Sequence, residues 1–167
     1  MTKVALAAMT TAWAMASALP VAAQTAAAAQ TPADGHRFVL TGAGSFAVFA
    51  DLATLKREAD IATMRSFQVV EPGFAVGGTA YWGGWSRWSF DCKALTADRV
   101  DFASVREGGL EGPSSPDGQP AYAAAPGGDA AELLAVACGD PDRPAPGTNE
   151  LTTLEDAVRR GRAALAN

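Results

Sequence analysis

The sequence predicts an α+β fold, an antiparallel β-sheet packed with a C-terminal α-helix and tied by one disulfide. Three observations carry this expectation. Several segments alternate residue by residue in the way a half-buried strand does, the last sixteen residues place apolar side chains at helical spacing, and the only two cysteines, Cys92 and Cys138, fall in different predicted elements.

The first residues, MTKVALAAMTTAWAMASALPVAAQ, read as an export leader rather than as part of the fold. Lys3 supplies the positive start, Val4 to Leu19 the apolar stretch, and Val21-Ala22-Ala23 the small residues before a cut at Gln24. The stretch is too short and too rich in alanine to span a bilayer, which takes roughly 20 strongly apolar residues. The expected division is therefore a leader at 1–23, a polar, alanine-rich lead-in at 24–35, and one domain at 36–167, with no membrane span once the leader is removed. The expected location is the periplasm or the extracellular space, since no cysteine near the cut is available to take a lipid.

The whole chain of 167 residues carries a formal charge of −5, and losing Lys3 leaves 12 basic against 18 acidic residues, a charge of −6. Such a balance gives no electrostatic reason to hold nucleic acid. In an oxidising compartment Cys92 and Cys138 are expected to pair. One histidine and no CxxC make a metal site unexpected, and no cofactor motif is present.

Along the domain, Arg37 to Leu40 reads as a short strand, Thr41 to Gly44 as a turn, and Ser45 to Ala50 as a second strand. Leu52, Leu55 and Ala59 have helical spacing, so a short helical turn is expected at 52–57, then a turn at Ala59-Asp60 and a strand from 61 to about 70. Glu71-Pro72-Gly73 stops that strand. In YWGGWSRWSFDC, residues 81–92, the parity puts Ser86, Trp88, Phe90 and Cys92 on one face and Trp85, Arg87, Ser89 and Asp91 on the other. Trp88 and Phe90 are expected inward, packed against the terminal helix. Arg87 is expected in water, with Trp85 either an exposed platform or a half-buried strand residue. Gly83-Gly84 marks a bulge or bend.

Leu95 to Asp98 reads as a turn and Arg99 to Arg106 as a strand. The stretch 107–128, rich in glycine, proline and serine, reads as a long loop or lid. Asp129 with Glu132, and Thr152 with Glu155, have the spacing of capping boxes opening two helices. The first ends near Cys138-Gly139. The linker 140–149 separates them, and Arg159, Arg160 and Arg162 gather near the end of the second, where the helix dipole favours cations. The parts add up to an α+β sandwich of two layers.

The run from Phe46 to Asp51, the turns at Leu55-Lys56-Arg57 and Ala59-Asp60, the aromatic strand ending Trp88-Ser89-Phe90-Asp91-Cys92 and the late Val136-Ala137-Cys138 follow one another in an order that resembles the surface-adhesin protein E family. That resemblance spans most of residues 37–165. It implies a small exported bacterial domain of the cell envelope whose role is binding, with an envelope or extracellular protein or glycan as partner.

Chemistry finds little footing in the residues themselves. His36 stands beside the lead-in and reads as solvated; Gly42-Ala43-Gly44-Ser45 lacks the glycine that a nucleophile elbow places two residues after its serine. No catalytic residue is assigned. The candidate binding residues are Trp85, Arg87, Tyr81, Arg159 and Arg162. Two other functions stay open: a periplasmic hydrolase using paired carboxylates, with Asp51, Glu71 and Asp91 as the acids, and a small-ligand carrier with 107–128 as its lid.

Overall fold

The computed structural model describes residues 35–139 and 150–166. The expected leader at 1–23, nearly all of the lead-in and the linker at 140–149, with its Asp140-Pro141-Asp142, lie outside the described residues. The architecture is a large antiparallel sheet with two helices and the expected disulfide.

The strands are β1 (Phe38–Ala43), β2 (Ala47–Glu58), β3 (Ile61–Val69), β4 (Ala75–Val76), β5 (Thr79–Asp91), β6 (Thr96–Arg106), β7 (Ser115–Pro116) and β8 (Tyr122–Ala123). The helices are α1 (Asp129–Cys138) and α2 (Leu154–Leu165). The sheet runs β1-β2-β3-β5-β6-β7, with β4 also on β5 and β8 also on β6. Consecutive long strands are neighbours, as short turns require.

Neighbouring residues of one strand point to opposite faces, and here both faces are buried, each under its own helix. On one face Val48, Ala50, Ala62, Met64, Trp88, Phe90 and Ala97 pack with Leu133, Leu134 and Ala137 of α1. On the other, Ala47, Phe49, Phe67, Val69, Trp85 and Val105 pack with Ala157 and Val158 of α2. In place of the expected two layers there are three, a sheet with a helix on each side. The parity expected for β5 holds, but Trp88 and Phe90 pack under α1 and not under the terminal helix. Their rings stack 5.8 Å apart, and Trp88 Nε1 donates to Ser66 Oγ at 2.9 Å.

The expected helical turn at 52–57 is instead part of β2. The β2–β3 register shifts between Asp51 and Lys56, and this irregularity lets Leu52 and Leu55, three apart, both pack against the α1 cluster. A three-residue spacing normally signals a helix; here a bulge produces it. Ala59, at φ 51°, turns the chain into β3.

The two glycines of β5 do separate jobs. Gly83 sits at φ 155° where the β5–β6 register shifts, and a Cβ there would lie 1.7 Å from the Gln68 carbonyl oxygen. Gly84 is covered by Phe102, whose ring would stand 2.3 Å from a Cβ.

Both helices begin differently from the expected capping boxes. Gly128 is the N-cap of α1 and offers no side chain, while α2 is capped by Thr153, whose Oγ1 accepts from the Asp156 amide at 3.2 Å. At its other end α1 lacks a basic residue in the last turn, and Arg57 of β2 supplies the cation, its guanidinium donating to the carbonyls of Ala137 and Gly139. Cys138 there joins Cys92 just past β5, with Cα atoms 5.4 Å apart. Gly161 lets α2 approach β3 closely, since a Cβ would meet the Val69 side chain at 2.9 Å.

The segment 107–128 extends the sheet more than it forms a lid. Glu111 bridges to Val105, β7 and β8 pair with β6, and Asp117 accepts from Arg99 Nε at 3.0 Å. At the opposite edge Phe38 and Leu151 exchange backbone hydrogen bonds of 2.8 and 3.1 Å. Among the described residues no helix is long and apolar enough to cross a membrane.

Candidate binding face

Each helix covers only part of its face. On the α2 side the ladder partners Phe49, Phe67, Trp85 and Ala103 form a buried row. Two residues further along the same strands, Asp51, Arg65, Arg87 and Asp101 form the next row, each the direct partner of its neighbour. Beyond them come Lys56, Thr63, Ser89 and Asp98. Apart from Asp51, these polar side chains are partly or fully exposed, while Ala62, Met64, Trp88, Phe90 and Ala97 behind them are buried under α1. The polar half of the α2 face is therefore open where the opposite face is closed.

The charged row reads minus, plus, plus, minus. Its central arginines stand directly opposite each other, at roughly 4.5–5.5 Å between Cβ atoms for such a pair, and like charges there repel unless neutralised. Arg87 is neutralised by Asp101 (Nη2 to Oδ2, 2.7 Å). Arg65 reaches Glu111 (Nη2 to Oε1, 2.7 Å) with its guanidinium 4.3 Å from the centroid of the Trp85 ring, a cation–π placement.

The outer minus is held from within. Asp51 is fully buried and accepts from His36 Nδ1 at 2.8 Å, from the Arg37 amide at 3.1 Å and from the Ala53 amide at 3.2 Å. A buried carboxylate persists only when so satisfied. His36 in turn stacks on Phe38 (4.7 Å) and Trp85 (5.4 Å). It therefore packs against the sheet, just before β1, and is not the solvated residue expected from the sequence. A carboxylate that orients an imidazole supplies two of the three members of a nucleophilic triad, yet among the described hydrogen bonds His36 contacts no hydroxyl or thiol.

Of the residues singled out in the sequence, Trp85 is 3% exposed and forms the floor beneath Arg65 and His36, so it is no exposed platform. Arg87 is exposed on the open half-face as expected. Tyr81 lies roughly 20 Å further along β5 by strand rise, and the structure joins it instead to Arg162, whose Nη2 donates to its carbonyl at 3.4 Å. Arg159 lies on the exposed side of α2 and pairs with Asp156. The acids considered for hydrolysis are dispersed: Asp51 is enclosed, Asp91 accepts from the Lys93 and Ala94 amides near the start of β3, and Glu71 is exposed past its end. His36, Asp51, Arg65 and Glu111 escaped the sequence reading as a group. Only the shared parity of Arg65 and Phe67 hinted at them.

Among the described residues no group of three or more His, Cys, Asp or Glu is arranged to hold a metal ion. No family model, curated protein or solved structure matches the chain. Its function therefore has to be read from the face itself.

Proposed function

We propose that the chain is an exported binding module of the cell envelope, without catalytic activity, whose contact surface is the open polar half-face carrying Arg65, Arg87 and Asp101. The observation that carries this reading is the ladder row itself: two arginines on neighbouring strands, bordered by Thr63 and Ser89, on the half of the α2 face that the helix leaves open. An exposed sheet face with oriented donors suits recognition, whereas a hydrolase needs two acids converging in a cleft.

The disulfide supports an oxidising compartment. With the leader read at 1–23, the mature protein is periplasmic or secreted and begins at Gln24. The antiparallel sheet, the C-terminal helix and the disulfide fit the likeness to the surface-adhesin protein E family, and that likeness favours an envelope or extracellular partner.

The experiment is a matched retention assay on envelope extract with the mature protein and its Arg65→Ser/Arg87→Ser variant, both shown folded by circular dichroism. The reading expects species retained by the wild type and lost from the variant. An identical retained set would overturn it. N-terminal sequencing of exported protein is expected to start at Gln24, and a start at Met1 would remove the assignment to the envelope.

A further inference from the structure

We infer that the hairpin of β4 and β5 is a lipid-docking element: its apolar tip enters the outer layer of a phospholipid surface, and Arg106 and Arg162 meet the lipid phosphates. The inference is independent of the half-face, which lies toward the far end of β5.

The hairpin is built to project. Val76 pairs with Thr79, so Gly77 and Gly78 alone make the turn. Both sit at positive φ, 56° and 78°, as the tight two-residue turn that matches strand twist requires. β3 ends at its Val69–Gly83 pair and β6 at its Arg106–Tyr81 pair, so the turn stands beyond both neighbours.

The composition of the tip suits an apolar medium. From Pro72 to Ala80, PGFAVGGTA, there is no charged residue, and residues 72–78 are all exposed. Phe74 and Val76 are 39% and 59% exposed and, two apart, share one face. Leu110, 63% exposed, stands at the same end of the sheet, its carbonyl accepting from the Arg106 amide. An apolar projection of this kind marks a contact.

The residues behind the tip say with what. Tyr81 and Trp82 follow, both half-buried, and these side chains favour the boundary between lipid chains and headgroups. Tyr81 stands roughly 10 Å from the turn by strand rise. Interfacial elements enter a bilayer to roughly 5–10 Å. At that level two arginines adjoin Tyr81: Arg106 is its ladder partner, and Arg162 Nη2 reaches its carbonyl at 3.4 Å. Neither has a carboxylate partner among the described residues, and Arg162 Nε is buried with no acceptor. Lipid phosphates at that depth supply acceptors. The order apolar, aromatic, cationic along one hairpin is the layering of a lipid surface, which a protein groove lacks. The chain's charge of −5, with Glu71 and Glu107 beside the hairpin's base, gives no attraction to an anionic surface at long range. Apolar insertion therefore drives the docking.

The test uses disulfide-bonded protein purified from the exported fraction, phosphatidylcholine vesicles, and vesicles with about a quarter phosphatidylglycerol, read by co-sedimentation. The wild type is expected to partition equally onto both, with little effect of salt. Phe74→Ser/Val76→Ser is expected to weaken partitioning at least about tenfold, the scale of one buried apolar side chain. Arg106→Gln/Arg162→Gln is expected to weaken it about fivefold. Leu95→Ser is the control, since Leu95 is 58% exposed but lies in the turn between β5 and β6 at the opposite end, and it is expected to change nothing. All variants share one N-terminus, so differences between them belong to the substituted residues. Val76→Ser alone stands in if circular dichroism shows the double variant unfolded.

No partitioning of the wild type, an equal loss with Leu95→Ser, no effect of the arginine substitutions, or binding confined to the anionic vesicles would each overturn the inference. So would a change from dimer to monomer in Phe74→Ser/Val76→Ser with partitioning unchanged, which would make the hairpin a contact between copies. The Arg65→Ser/Arg87→Ser variant keeps the hairpin and is expected to partition like the wild type, so the two surfaces are tested separately.

Discussion

Arg65 and Glu111 form an ion pair that passes over Trp85, linking β3 to the segment outside β6 although β5 and β6 lie between them. The bridge is possible because the intervening side chains are flat or small: Trp85 and its ladder partner Ala103. It also marks a boundary, with aromatic packing under α2 on one side of it and the polar half-face on the other.

This boundary sets the expected cost of losing each β5 tryptophan. Trp85 and Trp88 are 3% and 5% exposed on opposite faces. Replacing either by alanine should cost about 3–5 kcal/mol, the usual range for a buried aromatic. Denaturant melts of Trp85→Ala and Trp88→Ala at equal disulfide content measure it. A loss below about 1 kcal/mol at Trp85 would mean that its side chain is not packed.

The reason Trp85 was not legible as core lies in the strand's length. Arg87, Ser89 and Asp91 share its parity and are polar, so alternation assigns the whole face to water. The face changes character part-way along, because α2 covers only one half, and a strand pattern carries no information about which helix stops where. The alternation of β3 and of residues 86–92, the turn at Ala59-Asp60 and both helices were legible, since periodicity and turn chemistry are local. The bulge after Asp51 and the pairing of His36 with Asp51 were not, because both depend on register between strands.

Ser86 offers a test with the opposite sign. Its Oγ is buried without a hydrogen-bond partner among the described residues, next to Ser66, whose own Oγ is taken by Trp88. An orphaned buried hydroxyl is a net cost, so Ser86→Ala should be neutral or stabilising by up to about 1 kcal/mol. Thermal and urea melts decide it; a clear loss of stability would require a partner for that hydroxyl.

Cys92 and Cys138 close a loop with a sequence separation of 46. In the chain-entropy model the bond is worth about 4 kcal/mol, an upper figure. Peptide mapping without reductant should recover the linked pair, and reduction should shift the denaturant midpoint downward. Two free thiols in exported protein would contradict the pairing and the link between β5 and α1.

Two carboxylates near α2 hold their protons less tightly than usual. Hydrogen bonds from Arg37 lower Glu150, and the Thr153 hydroxyl together with Arg159 lowers Asp156. A carboxyl depressed in the folded state binds fewer protons folded than unfolded. Its contribution is therefore present above the ordinary carboxylate range and fades as pH falls through the folded value. Melting temperature should thus fall more between about pH 5 and about pH 3 in the wild type than in an Arg37→Gln/Thr153→Ala variant. Equal slopes would show that these contacts do not form in solution.

The central claim is that the open half of the α2 face is where this protein meets its partner. Amide spectra of the isotope-labelled protein, recorded while the species retained from envelope extract is added, test it most directly. The account predicts shifts centred on Thr63, Arg65, Arg87, Ser89 and Asp101, with the α1 face unchanged. Shifts confined to the exposed hairpin around Phe74 and Val76, or to the outer side of α2, would contradict it.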